Sequence, residues 1–403
     1  MFWVEPEVAL VLPAISARAE SFSITRGGPF HVFVTRIFRD APQHERVVRR
    51  AIVAATIAWL PLFVFCIAQG LAFGHQVGIP FVRDFAVNVR FLVALPIFIL
   101  AEYKIDRRWH KLVLEFFRTS LVHEDQIPLF DSILETITRL RDHFLPELVL
   151  MVLAYLPSLL VHQSELLLGG ANWHFLSGTT TLSLAGWWFK IISMPLFRFL
   201  MLRWFWRLIL WTLFLWRVSR INLHLVATHS DRAAGLGFLS EGQIAFSPIV
   251  FAGSSVMASE VGNAIAYEGE TVMSLKFVMI GFGVLAVTIL VLPLLVVVPA
   301  LIKVKKKALF EFGALVTHHD QLFDAKWIED HRPTGEEILG NPDASSLADL
   351  GTSFNVIRDM SFIPIDKPTL IGLAVAAVLP MIPVIVFATP VNDLIRLITK
   401  TLL

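Results

Sequence analysis

Seven long blocks of predominantly apolar residues, separated by polar and charged segments, recur along the sequence. A helix that crosses a bilayer needs about 20 mainly apolar residues, and each block approaches or exceeds this length. The predicted spans are residues 51–74, 85–103, 145–163, 187–216, 243–267, 272–302 and 369–389. The pattern therefore predicts an all-α fold: a polytopic integral membrane protein with about seven transmembrane helices and a helical cytoplasmic bundle.

The fifth block is the most polar of the seven, since Ser254, Glu260 and Asn263 lie within it. Either a full span or a re-entrant hairpin is compatible with such a composition. Lysines at 303 and 305–307 follow the sixth block directly. They favour the full span, because only then does the sixth block end on the basic side of the membrane.

Composition supports the membrane assignment and removes several other classes of protein. Hydrophobic residues make up 56% of the chain and charged residues 17%, whereas soluble domains carry about 25% charge. The single cysteine, Cys66, excludes a disulfide framework and a cysteine metal site. Lys and Arg total 34 against 33 Asp and Glu, so no basic excess indicates a nucleic-acid partner.

The distribution of basic residues predicts the orientation of the chain. Segments 1–50, 104–144, 217–242 and 303–368 hold 25 of the 34 Lys and Arg residues, whereas segments 164–186 and 264–271 hold none. Positively charged loops resist translocation. The sequence therefore predicts a multi-pass protein of the cytoplasmic membrane with its N-terminus inside and its C-terminus outside.

Four regions are predicted along the chain. Residues 1–50 form a cytoplasmic amphipathic segment without a signal peptide, and residues 51–302 form six spans that include a cytoplasmic helical hairpin at 104–144. Residues 303–368 form a cytoplasmic helical region, with helices at 303–331 and 347–360 and a flexible linker at 333–345. Residues 369–403 form the last span and a tail. The hairpins at 51–111 and 145–220 share no sequence motif, so no internal repeat is predicted.

This organisation resembles that of the insect odorant and gustatory receptors. The features that match are the long helix predicted over 272–331, and the helix at 347–360 followed by the proline-broken last span at 369–389. The resemblance implies a tetrameric cation channel whose last span lines the pore. It covers topology alone, since the Thr-Tyr and Gln-Phe pattern of that family's last span is absent here, and it carries no site residue over.

Ionisable residues inside the predicted spans are the first candidates for function. A charge at bilayer depth costs about 2.5–3.5 kcal/mol on insertion scales, so it usually faces a cavity or a partner. The candidates for a polar, anion-attracting pathway between the second, fourth and fifth spans are Arg83, Asp84, Arg90, Arg198, Arg203, Arg207, Glu260 and Asn263. Glu260 and Arg90 both lie mid-span, and we predict that they pair. The alternative is that the arginines extend toward the membrane interfaces.

The segment 228–238 is the most motif-like part of the sequence. Its small residues and glycines allow a tight backbone whose N–H groups could hold a phosphate or carboxylate. The candidate anion-binding residues are His229, Asp231, Arg232, Gly235 and Gly237. The alternative is an interhelical turn in which Asp231 caps the next helix.

A cluster of histidines and aspartates on the helix that follows the sixth span is a candidate divalent-metal site. Its members are His319, Asp320, Asp324 and His331, with His318 beside them. A solvated helix face is the alternative. No nucleophile, acid–base pair or cofactor motif is evident, so neither an enzyme nor a cofactor is predicted.

These features favour an oligomeric, channel-like or transport protein that moves ions or small solutes. The expected partners are the lipid bilayer and further copies of the chain. The alternative function is a membrane scaffold or sensor subunit that docks a soluble protein through its cytoplasmic helices.

Overall fold

The computed structural model describes residues 17–37, 43–73, 77–160, 172–176, 179, 181–329, 337–338 and 340–388. The start of the predicted amphipathic segment, His331 of the predicted metal site, residues 333–336 of the predicted linker and the C-terminal tail lie outside these residues.

The described chain is α-helical, with two isolated β-bridges, Ile79 with Asn172 and Phe175 with Leu182. The first six helices are α1 (Ala17–Ser21), α2 (Pro29–Ile37), α3 (Gln43–Ala68), α4 (Phe85–Arg118), α5 (Ile127–Asp142) and α6 (Phe144–Leu160). They are followed by α7 (Leu184–Val218), α8 (Leu239–Tyr267), α9 (Val272–Glu329), α10 (Pro342–Arg358) and α11 (Lys367–Ala388).

Six of these helices, α3, α4, α7, α8, α9 and α11, are each long and apolar enough to cross a membrane. Helix α6 passes the same test only together with α5, from which it is bent by 43°. Each apolar block therefore corresponds to a helix over most of its length, and the polar fifth block lies in a helix that qualifies as a span. The apolar helices indicate a multi-pass membrane protein.

Two helices extend well beyond their apolar blocks. Helix α4 continues from the second block to Arg118, and α9 runs over 58 residues through a 3₁₀ segment, Leu292–Val297, around Pro293. Helix α10 then packs against the end of α9. The prediction of a linker over 333–345 is wrong at its C-terminal end, because the Asn341 side chain accepts a hydrogen bond from the Asp343 N–H at 2.9 Å and starts α10 at Pro342.

The bundle has two ends that differ in charge. We call the end formed by residues 17–37, 43–50 and 104–142 the basic end. The end formed by residues 69–73, 77–84, 172–176, 181–183 and 268–271 is the far end. Helices α4 and α7 run from the far end to the basic end. Helix α4 packs against α3, α7 and α8, and the shared interior is rich in large aromatic side chains.

Helices α4 and α7 begin with the same local architecture. The side chains of Asp84 and Ser183 cap them by accepting backbone hydrogen bonds. Each helix then forms a five-residue π-helical segment, Arg90–Ala94 or Phe189–Ser193, ahead of a proline twelve residues after the cap, Pro96 or Pro195. Proline lacks an N–H and clashes with the carbonyl four residues earlier, and a widened turn accommodates it. The two helix starts therefore share a local architecture, although the hairpins that contain them share no sequence motif.

Candidate functional site

A hydrogen-bonded cluster centred on Asp84 lies at the far end. The Asp84 carboxylate accepts hydrogen bonds from the Val87 N–H at 3.2 Å, the indole N–H of Trp173 at 2.9 Å and the Asn263 amide at 2.8 Å. The Asn263 oxygen in turn accepts from the Phe85 N–H at 3.0 Å. These bonds join the start of α4 to α8 and to the far-end loop, and three donors satisfy the one buried carboxylate.

His174 lies beside this cluster and is half-buried. Burial lowers the pKa of His174 to about 4, with Arg90 acting in the same direction and Asp84 opposing it. The imidazole is therefore neutral at neutral pH. The far-end cluster is consequently held by one carboxylate and neutral donors.

Arg90 and Glu260 form an ion pair between α4 and α8, as the sequence predicts. The Arg90 side chain is 11% exposed and the Glu260 side chain 50% exposed within the single chain. The guanidinium also lies 5.8 Å from the ring centre of Phe197 on α7. Arg90 therefore links all three spans that the predicted pathway includes.

An aromatic layer separates the two ends of the bundle. The Phe91 ring lies 6.1 Å from Phe189 and 6.4 Å from Phe197, and Phe98 lies 5.6 Å from Phe197. The layer occupies the interior between Arg90 and Glu102, which are about 18 Å apart along α4 at 1.5 Å per residue. The middle of the bundle is therefore apolar and closely packed, whereas both ends are charged.

A second ionic cluster, centred on Glu102, lies at the basic end. Its carboxylate is 2.7 Å from a guanidinium nitrogen of Arg207, 3.1 Å from Arg50 and 3.5 Å from Arg203. All four side chains are less than 9% exposed. A buried carboxylate is stable only when its charge is compensated, and here three arginines from α3 and α7 share it. Glu102 thereby holds three spans together.

The N-terminal segment covers this arginine cluster. The Thr25 carbonyl accepts a hydrogen bond from Arg207 at 3.2 Å, and the Thr25 hydroxyl donates to Asp106 at 2.7 Å. Asp106 is also paired with Arg26. The Phe30 ring centre lies 4.7 Å from the Arg203 guanidinium. Residues 22–30 therefore enter the bundle, a placement that the prediction of an amphipathic segment does not include.

A cavity of about 160 Å³, the arginine cavity, lies between the N-terminal segment, α3 and α4. Its lining includes Thr25, His31, Arg46, Arg50, Glu102 and Asp106. Within the described part of the chain, Nδ1 of His31 and Nε of Arg46 are buried without a hydrogen-bond partner. One water needs about 10–15 Å³ on this measure, so the cavity holds several waters or a small anion.

Cations outnumber carboxylates around the arginine cavity. The lining residues and their ion-pair partners include five arginines, at 26, 46, 50, 203 and 207, against three carboxylates, at 102, 106 and 147. Burial lowers the pKa of His31 to about 4; Glu102 opposes this and the nearby arginines reinforce it, so His31 adds no charge at neutral pH. The surplus positive charge favours an anion at this position.

The predicted pathway residues fall into three groups. Arg90, Glu260, Asp84 and Asn263 lie at the far end, whereas Arg203 and Arg207 lie at the basic end. Arg198 stands apart and donates a hydrogen bond to the Ser158 hydroxyl at 2.8 Å. The seven-residue spacing of Arg83 and Arg90 predicts that both lie on one helical face. Arg83 is instead exposed in a 3₁₀ turn before α4, so this prediction is wrong. Arg203 and Arg207 are buried within the bundle, where both pair with Glu102.

A carboxylate within the turn at 228–238 accepts the hydrogen bonds of the turn's backbone. Asp231 accepts hydrogen bonds from the N–H groups of Ala233 at 2.8 Å, Gly235 at 3.1 Å and Gly237 at 2.8 Å. Burial raises the pKa of Asp231, but these bonds outweigh burial and hold it below the usual value. Amides that donate to Asp231 are not available to an external anion, so the structure favours a turn over the predicted anion site at His229, Asp231, Arg232, Gly235 and Gly237. The expected cap is wrong, because Asp231 bonds within the turn and Phe238 precedes α8 without a side-chain cap.

The predicted metal residues do not converge within the described chain. His318 and Asp324 are exposed, and His319 is half-buried on α9. No group of three or more histidine, cysteine, aspartate or glutamate side chains in the described residues is arranged to hold a metal ion. His331 lies outside those residues.

Sequence reasoning missed Arg50, Glu102, Asp106 and Glu147 as site residues. Each lies at or just beyond the end of an apolar block, where a charge is ordinary and attracts no notice. The one available signal was that Glu102 is followed by Asp106 four residues later on the same helical face.

Comparison with protein-family models, characterised proteins and solved structures finds no match to this chain.

Proposed function

We propose that the chain is a membrane transport protein that moves small anionic solutes, with the arginine cavity as a binding site. The observation that carries this proposal is the surplus of arginines around this cavity, beside side-chain nitrogens of His31 and Arg46 that have no hydrogen-bond partner among the described residues. A small inorganic anion or carboxylate would compensate that charge. In this proposal the basic end faces the cytoplasm, because Lys and Arg are concentrated there.

The aromatic layer and the paired π segments favour a transporter rather than a permanently open pore. The layer blocks a straight path between the two charged ends. π-Helical segments often occur at functional sites, and here they lie at corresponding positions in α4 and α7. Parallel repeats are one way in which transporters are built. We propose that passage requires α4 and α7 to shift around their prolines. The resemblance to the insect receptors stays a prediction.

Anion flux into proteoliposomes containing the full chain tests the proposal. We expect chloride or inorganic phosphate to enter faster than into empty vesicles. Arg46→Gln should lower the rate about tenfold or more, because Arg46 lines the cavity and has no carboxylate partner among the described residues. Each lost cation weakens anion binding by about 1.4 kcal/mol or more. The matched control is Arg49→Gln, an exposed arginine that lies 3.4 Å from Glu45.

Three results would count against this function. They are flux equal to that of empty vesicles, flux of potassium without flux of anions, and equal rates for Arg46→Gln and Arg49→Gln.

The helical hairpin of α9 and α10 favours a second candidate, a scaffold or sensor that assembles through this hairpin. Phe310 is 82% exposed and Ile328 65% exposed beyond the apolar block of α9. Large apolar side chains that stay exposed in one chain often mark an interaction surface. A reduced particle size of the Phe310→Ser protein in detergent would support assembly through this surface, whereas an unchanged size would remove the support.

A further inference from the structure

A second, larger depression of about 820 Å³ lies on the outside of the basic end, between α3, α4 and the start of α8. We call it the basic groove. It shares only Val47 and Tyr103 with the arginine cavity. Its ligand chemistry is therefore separate from that of the proposed transport site.

Four cations on α4 form one wall of the basic groove. They are Lys104, Arg107, Arg108 and Lys111, and His44 of α3 lies opposite them. Their spacing of three, four and seven residues places the four on one helical face. All four are exposed, whereas the opposite side of the same stretch is buried in the core.

These cations have no acidic partner in the described chain. None of the four lies within ion-pair distance of a carboxylate there, and no carboxylate lines the groove. Arg107 instead rests 5.6 Å from the ring centre of Tyr103. By contrast, the nearby Arg118 and Arg49 each have a glutamate within 4 Å. The wall therefore presents uncompensated positive charge.

The rest of the basic groove is mostly apolar. Val48, Leu100, Ile244 and Pro248 line it on the side that continues into the apolar parts of α3, α4 and α8. A groove with cations at one edge and hydrocarbon contacts toward the membrane matches a molecule with an anionic head and acyl chains. A free phosphate would contact only the cationic edge of the groove. A zwitterionic lipid would fill the apolar part but carries no net charge to compensate the cations.

We infer that the basic groove binds the phosphate headgroup of an anionic phospholipid. Lys104, Arg108 and Lys111 contact the phosphate, and the acyl chains pass along Leu100 and Ile244. The lipid comes from the leaflet at the basic end, where the apolar part of α4 ends. The bound lipid would also contact His44 and Val48 and so join α3, α4 and α8.

The test is lipid binding to the full chain in detergent, followed by native mass spectrometry with phosphatidylglycerol and, separately, phosphatidylcholine. We expect preferential retention of phosphatidylglycerol. The triple variant Lys104→Gln, Arg108→Gln, Lys111→Gln should weaken that binding about tenfold or more, since each cation near an anionic headgroup contributes. The matched control removes the same charge from three exposed arginines that each lie beside a carboxylate, with Arg118→Gln, Arg139→Gln and Arg358→Gln, and should change binding less than about twofold.

A competition experiment distinguishes binding of a lipid headgroup from binding of free inorganic phosphate. Millimolar inorganic phosphate should leave phosphatidylglycerol bound, because it makes none of the apolar contacts. Displacement by phosphate alone, equal retention of both lipids, or equal weakening in the groove and control variants would each overturn the inference. Because all substituted residues are exposed, both triple variants should keep the parent thermal midpoint.

Discussion

The two charged clusters of the bundle compensate a buried carboxylate in different ways. At the far end, neutral N–H groups of Val87, Trp173 and Asn263 satisfy Asp84. At the basic end, three arginines surround Glu102, and further arginines line a cavity beside it. At the far end, hydrogen bonds within the protein satisfy the carboxylate, which indicates a structural role. At the basic end, surplus positive charge is left, and a bound anion can compensate it.

The largest expected difference between the clusters is in the loss of stability when each carboxylate is neutralised. Glu102→Gln leaves three buried arginines without their shared partner and should cost about 3–5 kcal/mol. Asp84→Asn keeps one acceptor oxygen and weakens bonds to neutral donors, so about 1–3 kcal/mol is expected. Thermal and denaturant unfolding of the purified variants measures both.

Glu45→Gln serves as the control, since Glu45 is exposed and pairs only with Arg49, an interaction worth about 0.5 kcal/mol. Equal losses for Glu102→Gln and Asp84→Asn would mean that the two clusters do not differ as described.

A smaller effect is expected at the Arg90–Glu260 pair. Because Glu260 is half exposed, we expect the double-mutant cycle of Arg90→Gln and Glu260→Gln to give a coupling free energy of about 1 kcal/mol. Arg90→Gln should cost more than Glu260→Gln, since Arg90 is buried and also contacts Phe197. Additive single-variant effects would show that the pair contributes no interaction energy.

A further expected effect concerns pH and involves one histidine from each end. The folded-state pKa values of His31 and His174 are about 4, below the ordinary 6.5, so protons bind the unfolded chain more tightly. The associated stability is fully present above pH 6.5 and is lost as the pH falls toward 4. We expect the thermal midpoint to fall over this window and to fall less in His31→Gln and in His174→Gln.

His318→Gln, at an exposed position of α9, should reproduce the parent pH profile. A parent profile that is flat between pH 6.5 and 4 would contradict the burial of both imidazoles.

The sequence predicted the order of the apolar helices and one specific contact across them. Long apolar blocks indicate helices directly. A helix in lipid must form all its backbone hydrogen bonds internally and must be apolar along its length. The Arg90–Glu260 pair was predictable because few charges lie at that depth, so each has few possible partners. The same reasoning failed for Arg83, since a 3₁₀ turn and a π segment interrupt the regular 100° per residue.

By itself, then, the sequence determined the helical class, the approximate position of each helix and the concentration of basic residues at one end. These properties depend on local composition and length. Only the tertiary structure decided that residues 22–30 enter the bundle, that Glu102 gathers Arg50, Arg203 and Arg207, and that α4 and α7 share a capped start with a π segment. Such features depend on contacts between residues distant in the chain, or on backbone geometry that the hydrophobic pattern does not record.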